Sequence, residues 1–202
     1  MMKHLFPILA AVALAAPAIA APQIGGQAPN FRLTDTNGKA VTLGQFRGKV
    51  VVIEWNNPGC PYVKKHYGSG NMQRTQAAAR QAGAVWLTVN SSATGKQGHM
   101  NGAQANAFVA AQKAQPTAYL LDHNGIVGKG YGAVTTPHMY IVDKGGKLVY
   151  AGGIDDKPTA NPADINGARN HVLAALAELR AGKAVSVATS RPYGCSVKYA
   201  DS

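Results

Sequence analysis

Residues 49–64 read KVVVIEWNNPGCPYVK and indicate the fold that the rest of the chain completes. The run from 49 to 55 is apolar and β-branched except at its start and at Glu54, which predicts a central strand covered on both faces. Residues 56–59 interrupt the strand, and Pro61 suits the first turn of a following helix. Cys60 therefore lies where a buried strand gives way to a helix.

The segments on either side of this stretch alternate between strand and helix patterns. Two of them are predicted hairpins, one over 28–43 and one over 139–151, each with a glycine-containing turn. The other predicted elements are an interrupted helix over 62–82, a strand over 84–89, a helix over 103–115, a strand over 119–121 and a closing amphipathic helix over 165–181. This order predicts an α/β fold with a central mixed sheet flanked by helices.

The first twenty residues have the pattern of a secretory signal peptide. Lys3 precedes a short apolar run, and residues 18–20 (AIA) provide a small-residue cleavage site. Two prolines interrupt the run, which is also too short to favour a membrane-spanning helix. The alternative is an amphipathic anchor that the protein retains.

This leader sets the expected domain organisation and location. We expect a signal peptide over 1–20, one domain over 24–184, and a tail over 185–202 that carries Cys195. The mature protein is expected to be exported, in a bacterial periplasm, with no stable membrane insertion after cleavage. The periplasm is kept oxidising, so disulfide chemistry is available there.

The composition is strongly basic, because 20 Lys and Arg against 9 Asp and Glu give a formal net charge of +11. Loss of the leader removes one Lys and no acid, which leaves 11 − 1 = +10. The basic residues are scattered and form no basic helix or aromatic-interleaved stripe, so no nucleic acid partner is expected. The charge suits a protein that faces an anionic envelope.

Cys60 is the first candidate for chemistry. Unpaired backbone N–H groups and the positive end of a helix dipole stabilise a thiolate at this position. Lys64 and Lys65, one turn further on, add positive charge. These features predict a reactive thiol; the alternative is a small hydrophobic residue of the core.

The turn around Cys60 is one of five segments that together resemble a known family. Residues 57–64 (NPGCPYVK) are similar to the active-site turn of thioredoxin-fold proteins. They resemble more closely the peroxiredoxin-like branch of the redoxin group, the alkyl hydroperoxide reductase/thiol-specific antioxidant proteins. The other segments are 28–33 (APNFRL), 131–137 (YGAVTTP), 146–156 (GKLVYAGGIDD) and 194–199 (GCSVKY). The resemblance spans 27–199 and implies a thioredoxin-like fold with an N-terminal β-hairpin.

The resemblance also implies roles at the matched positions. Thr136 and Pro137 match a cis-proline turn that packs beside the active-site cysteine and offers its backbone to a disulfide substrate. Pro61 and Tyr62 belong to the surface that the substrate contacts. Glu54 matches the buried proton acceptor of thioredoxins; the alternative is an edge position with its carboxylate in water.

Two departures from the family narrow the expected activity. A dithiol thioredoxin has a second cysteine three residues after the first, where this chain has Val63. A peroxiredoxin has Pro and then Thr or Ser ahead of its peroxidatic cysteine, where this chain has Ile53 and Asn57. Disulfide exchange is therefore favoured over efficient reduction of peroxide.

Cys195 could supply the missing second thiol, although it is 195 − 60 = 135 residues from Cys60. It could resolve a mixed disulfide or sulfenic acid at Cys60. It could instead form a permanent disulfide, which would contribute on the order of 5 kcal/mol in the chain-entropy model. A third alternative leaves it free or paired elsewhere.

These observations predict an exported thiol–disulfide oxidoreductase, or a peroxiredoxin-like antioxidant protein, with Cys60 as its redox nucleophile. Its partners would be protein or small-molecule thiols and disulfides, or peroxide. No metal or cofactor is expected, since neither His66 nor His138 stands in a familiar ligand spacing. The alternative function is a non-catalytic binding or structural module with a permanent Cys60–Cys195 disulfide.

Overall fold

The computed structural model describes residues 21–200. The predicted signal peptide over 1–20 lies outside the described residues, and so do the last two residues. Within the described range, no helix is both long enough and apolar enough to cross a membrane.

Strands and helices alternate along the described chain. The strands are β1 (Arg32–Asp35), β2 (Ala40–Thr42), β3 (Val51–Trp55), β4 (Val85–Asn90), β5 (Ala118–Leu121), β6 (Thr135–Thr136), β7 (His138–Val142), β8 (Leu148–Gly152) and β9 (Cys195–Ser196). The helices are α1 (Pro61–Gly68), α2 (Asn71–Gln81), α3 (Gly102–Ala111), α4 (Ile126–Tyr131) and α5 (His171–Arg180), with 3₁₀ turns at Leu43–Phe46 and Pro162–Ile165.

Seven strands form one mixed sheet in the order β2-β1-β5-β4-β3-β7-β8. The three central strands β3, β4 and β5 are parallel. β7 pairs antiparallel with β3, and β1 pairs antiparallel with β5. Both predicted hairpins, β1–β2 and β7–β8, are confirmed, as is the mixed sheet. β6 and β9 form a separate two-stranded pair.

β3 is buried over its whole length because the sheet is covered on both faces. Ile53 and Trp55 belong to a core that includes Tyr131 of α4 and residues of the N-terminal hairpin. Val52 faces the opposite way, into a core that α1, α2 and α5 cover. Cys60 belongs to this second core, so the sulfur lies on the face that the three helices cover.

Two predicted helices are shorter than their patterns suggested. α5 begins at His171 rather than 165, because Asn170 Oδ1 accepts a hydrogen bond from Leu173 N and caps the helix. Gly167, at φ +79°, separates it from the preceding 3₁₀ turn. α3 ends at Ala111, and Lys113 then takes a left-handed conformation with φ 51°. The predicted interruption of the first long helix is confirmed at the junction of α1 and α2.

Candidate functional site

The sequence places Cys60 at the N-cap of α1, directly after the turn that follows β3. Its backbone is fixed there, because Cys60 N donates to Asn57 O at 3.0 Å and Lys64 N donates to Cys60 O at 2.9 Å. The residue is fully buried, with 0% of its surface exposed. Its Sγ donates to the carbonyl oxygen of Thr136 at 3.0 Å.

The two-stranded pair of β6 and β9 brings the second cysteine to this position. Thr136 lies directly opposite Cys195 in the register of the pair. The Thr136–Pro137 peptide bond is cis, as the family resemblance implied. The side chain of Cys195 is thereby brought close enough to influence the Cys60 thiol, and both cysteines are free thiols. The fold therefore joins two residues that are far apart in the sequence.

The two thiols differ in acidity. Burial acts to raise the pKa of Cys60, but hydrogen bonds from the Cys195 side chain and from the backbone of Val63 and Cys195 outweigh it, so the pKa is lowered. The pKa of Cys195 is raised to about 11 by burial and by its contact with Cys60. Cys60 is therefore the first of the pair to ionise.

Lys65 does not supply the positive charge that the sequence suggested for this thiolate. Its Nζ donates to the carbonyl oxygen of Lys157 at 2.8 Å and lies 5.5 Å from the ring centroid of Tyr193. Lys64 is exposed to solvent. The helix N-terminus and the tail stabilise the thiolate instead, through the hydrogen bonds of Val63 and Cys195.

Glu54 is completely buried in β3, on the sheet face that also holds Cys60. Its carboxylate accepts hydrogen bonds from the side chains of Asn56, Tyr67, Trp86 and Thr88, at 2.9–3.2 Å. Burial raises the pKa of this carboxyl, although the four donors act in the opposite direction. The alternative of a carboxylate at a solvated edge is wrong.

Asn57 builds the turn that precedes Cys60. Its Oδ1 accepts a hydrogen bond from Gly59 N at 2.9 Å, and its Nδ2 donates to Gln97 Oε1 at 2.8 Å. Asn57 is itself fully buried. The position where a peroxiredoxin has a hydroxyl residue is thus occupied by an amide that holds the loop in place.

The tail is attached along the edge of the domain by backbone hydrogen bonds. Ser190 N donates to Ala151 O at 3.3 Å, and Val197 N donates to Val134 O at 3.1 Å. Gly194 has φ +141°, and a Cβ there would overlap the Thr136 carbonyl oxygen. This glycine therefore allows the tail to approach the carbonyl that accepts from Cys60.

A buried polar chain anchors the tail beside α1. Tyr193 hydrogen-bonds His66 Nε2 at 3.1 Å and donates to Asp155 Oδ1. Asn71 Nδ2 contacts the other ring nitrogen of His66 at 2.8 Å. Burial lowers the pKa of His66 to about 4, so the ring is neutral near pH 7. The sequence reasoning missed these anchors, since a lone Tyr, His and Asp carry no recognisable spacing.

Two of the predicted site residues, and one histidine for which no metal site was expected, lie around this centre or away from it. Tyr62 packs edge-on against Tyr193, with ring centroids 5.9 Å apart, and Pro61 is the exposed first residue of α1. His138 lies beside Tyr140 on the opposite sheet face from Cys60. Among the described residues, no group of three or more His, Cys, Asp or Glu side chains could hold a metal ion.

Comparisons with known proteins agree with this geometry. Residues 24–151 match the model of the AhpC/TSA family. The thiol-disulfide oxidoreductase ResA of Bacillus thuringiensis subsp. konkukian is 27% identical over 135 residues, which cover 63% of this chain and 68% of that protein.

Solved structures show the same fold. An uncharacterized conserved protein from Geobacillus kaustophilus superposes with a TM-score of 0.73 at 27% identity, covering 94% of this chain and 100% of that one. The thioredoxin domain of a thiol-disulfide oxidoreductase from Bacteroides vulgatus superposes with a TM-score of 0.52 at 23% identity, covering 65% of this chain and 89% of that one. The predicted thioredoxin-like fold is confirmed.

Proposed function

The chain belongs to the AhpC/TSA family, and from this premise we propose that it is a thiol–disulfide oxidoreductase with Cys60 as nucleophile and Cys195 as resolving thiol. One observation carries the proposal. The strand register sets Cys195 opposite Thr136, whose carbonyl oxygen accepts from Cys60 Sγ. The second thiol that the turn lacks is thereby supplied by the tail.

The acidity of the pair supports this division of roles. The Cys60 thiolate attacks one sulfur of a substrate disulfide, forms a mixed disulfide and releases the other sulfur as a thiolate. Cys195 then loses its proton and attacks Cys60 Sγ, which forms the Cys60–Cys195 bond and releases the second thiolate. The protein dithiol gives up two electrons and two protons, and the substrate disulfide becomes two thiols.

The unequal exposure of the sulfurs supports the return half of the cycle. Cys60 is fully buried, whereas Cys195 is only partly so. An external thiol that regenerates the protein would therefore attack Cys195. Cys60 would leave as the more stable thiolate, and a leaving thiol of low pKa departs faster.

Glu54 is the proton acceptor in this proposal. Burial raises the pKa of its carboxyl, which makes it a better base than a carboxylate in water. Its four donors keep it fixed on the same side of the sheet as the thiol. Thr136, Pro137, Pro61 and Tyr62 would form the surface that the substrate contacts.

Peroxide reduction is less well supported by the site. Ile53 lies in the core on the far face of the sheet, and the side-chain amide of Asn57 is engaged with Gly59 and Gln97. Neither residue offers a hydroxyl to a peroxide next to Cys60. The proposed partners are accordingly thiols and disulfides.

Export is proposed from the sequence of residues 1–20. In that view the mature protein works in a bacterial periplasm, where substrate disulfides form and persist, and an external thiol supplies the electrons that return the protein to its dithiol form. The proposed organisation keeps a redox domain over 24–184 and a functional tail over 185–202. The tail is an integral part of the site, because it supplies Cys195.

The pH dependence of alkylation tests the nucleophile directly. Wild-type protein is reduced and treated with iodoacetamide across a pH series, and labelling of each cysteine is followed by peptide mass spectrometry. We expect a midpoint for Cys60 below the ordinary value of 9.0, and one for Cys195 near 11. A lowered pKa leaves more of Cys60 as the thiolate at a given pH, and the thiolate is the form that reacts with iodoacetamide.

Cys195→Ala serves as the matched variant in this measurement. It removes the side-chain hydrogen bond that lowers the pKa of Cys60, so the Cys60 midpoint should move upward. A wild-type Cys60 midpoint at or above 9.0 would contradict the proposal.

A further inference from the structure

A cleft of about 560 Å³ opens next to the segments that carry the two cysteines. Three of its lining residues are chain neighbours of the sulfur site: Tyr62, Thr135 and Gly194. The other lining residues come from the loop after β8, from the start of α5 and from the tail, and they include Asp155, Asp156 and His171. The volume is within the range of cavities that hold small molecules.

Asp155 brings a buried carboxylate to this cleft. The residue is only 3% exposed, and its Oδ1 accepts from Tyr193 and from Lys157 N. Its Oδ2 is buried and has no hydrogen-bond partner among the described residues. Buried polar atoms are nearly always satisfied, so an unpartnered carboxylate oxygen in a cleft wall indicates a donor that arrives with a ligand.

The charge of the cleft differs from that of the molecule as a whole. The chain has only 9 acidic residues and a net charge of +11, yet two adjacent carboxylates line this one cavity. Lys65, the nearby buried cation, is engaged by the Lys157 carbonyl and the Tyr193 ring. Arg191 also lines the cleft, at an exposed position.

The aromatic residues of the cleft, like its carboxylates, favour a positively charged ligand. Tyr62 and Tyr193 meet edge to face at 5.9 Å, and both line the cavity. The face of an aromatic ring attracts a cation. Burial of Cys60 at 0% exposure further favours a small substrate, because a folded protein would have to displace more of the tail to reach the sulfur.

We propose that this cleft binds the ammonium group of a low-molecular-weight disulfide or thiol and presents its sulfur to Cys60. Asp155 Oδ2 and the Asp156 carboxylate accept from the ammonium, while the tyrosine rings pack against the chain that leads to the sulfur. This assignment rests on the proposed disulfide exchange and names its substrate class.

The reaction follows the cycle given above. The Cys60 thiolate attacks the substrate sulfur nearer the cleft, and the other half of the substrate leaves as an amino thiol. Cys195 then displaces the half that is bound in the cleft. One disulfide is reduced to two amino thiols, and the two protein thiols are oxidised to one disulfide.

Stopped-flow oxidation of the reduced protein tests the subsite with matched disulfides. Cystamine and 2-hydroxyethyl disulfide have the same length and differ by ammonium against hydroxyl. The rate with cystamine is divided by the rate with 2-hydroxyethyl disulfide, and this ratio is measured for wild type, Asp155→Asn and Asp156→Asn. The two disulfides also differ in the acidity of their leaving thiols, but that difference is the same for every protein and cancels when the ratios are compared. Asp164→Asn is the control, since it removes an equal charge from a 3₁₀ turn that is not part of the cleft.

We expect the ratio to fall about tenfold in Asp155→Asn and about threefold in Asp156→Asn, as for the loss of a charged hydrogen bond. The ratio should not change in Asp164→Asn. Asp156→Asn keeps the test informative if Asp155→Asn fails to fold.

A ratio that is unchanged in both cleft variants, with 2-hydroxyethyl disulfide still reacting, would overturn the ammonium subsite and leave the proposed function standing. An equal fall in Asp164→Asn would also overturn it, because the effect would then come from overall charge. Absence of reaction with either disulfide in the wild type would overturn both proposals.

Discussion

Replacing Cys60 by Ser should lower the rate of disulfide exchange about a thousandfold or more, because a hydroxyl cannot replace the thiolate nucleophile. Cys195→Ser should behave differently. It retains the nucleophile and completes the first step, but it cannot resolve the product, so a mixed disulfide at Cys60 accumulates. Intact-protein mass spectrometry after exposure to 2-hydroxyethyl disulfide measures both outcomes.

The two serine variants control for each other, since each removes one sulfur from the same contact. Cys60 is buried and Cys195 is partly exposed. Exposure alone would therefore make Cys195 the nucleophile and Cys60 the resolving thiol. A mixed disulfide that accumulates in Cys60→Ser, with Cys195→Ser unreactive, would show that Cys195 is the entry point. It would reverse the roles given to the two residues.

Substituting Gly194 by Ala should separate the two thiols. The added Cβ would overlap the Thr136 carbonyl oxygen, and φ +141° is a conformation that L-residues rarely adopt. The pairing of β6 with β9 should therefore be disrupted. We expect the free energy of unfolding to fall by about 2–3 kcal/mol and formation of the Cys60–Cys195 bond to slow about tenfold or more.

Urea denaturation and the rate of loss of free thiols measure these two effects. Gly68→Ala is the matched control, because a Cβ at Gly68, at the end of α1, meets no atom within 4 Å and its φ is not in the left-handed region. It should leave the stability unchanged or raise it by up to about 1 kcal/mol. Rapid disulfide formation in Gly194→Ala would contradict the claim that the tail backbone positions Cys195.

The sequence predicted the central part of the fold because the decisive signals there are local. The apolar run of β3 and the helix-starting proline of α1 set Cys60 at a strand-to-helix turn. The glycine turns likewise marked both hairpins. The start of α5 was missed, since the apolar period extends to residue 165 while the Asn170 cap determines where the helix begins.

The site was harder to predict because it depends on contacts between distant parts of the chain. Composition gave no reason for Cys195 to lie opposite Thr136, and only the family resemblance suggested it as a partner. The burial of Lys65 could not be read from its place next to the exposed Lys64. The cleft at Asp155 depends on the path of the tail, which lacks any regular hydrophobic period.

A redox titration of the Cys60–Cys195 pair tests the central claim most directly. Wild-type protein is equilibrated with mixtures of reduced and oxidised dithiothreitol, and its free thiols are counted with a mass tag. We expect a reversible transition in which both thiols are lost and regained together. A disulfide that persists at the most reducing ratio, or two thiols that never pair at the most oxidising one, would contradict it.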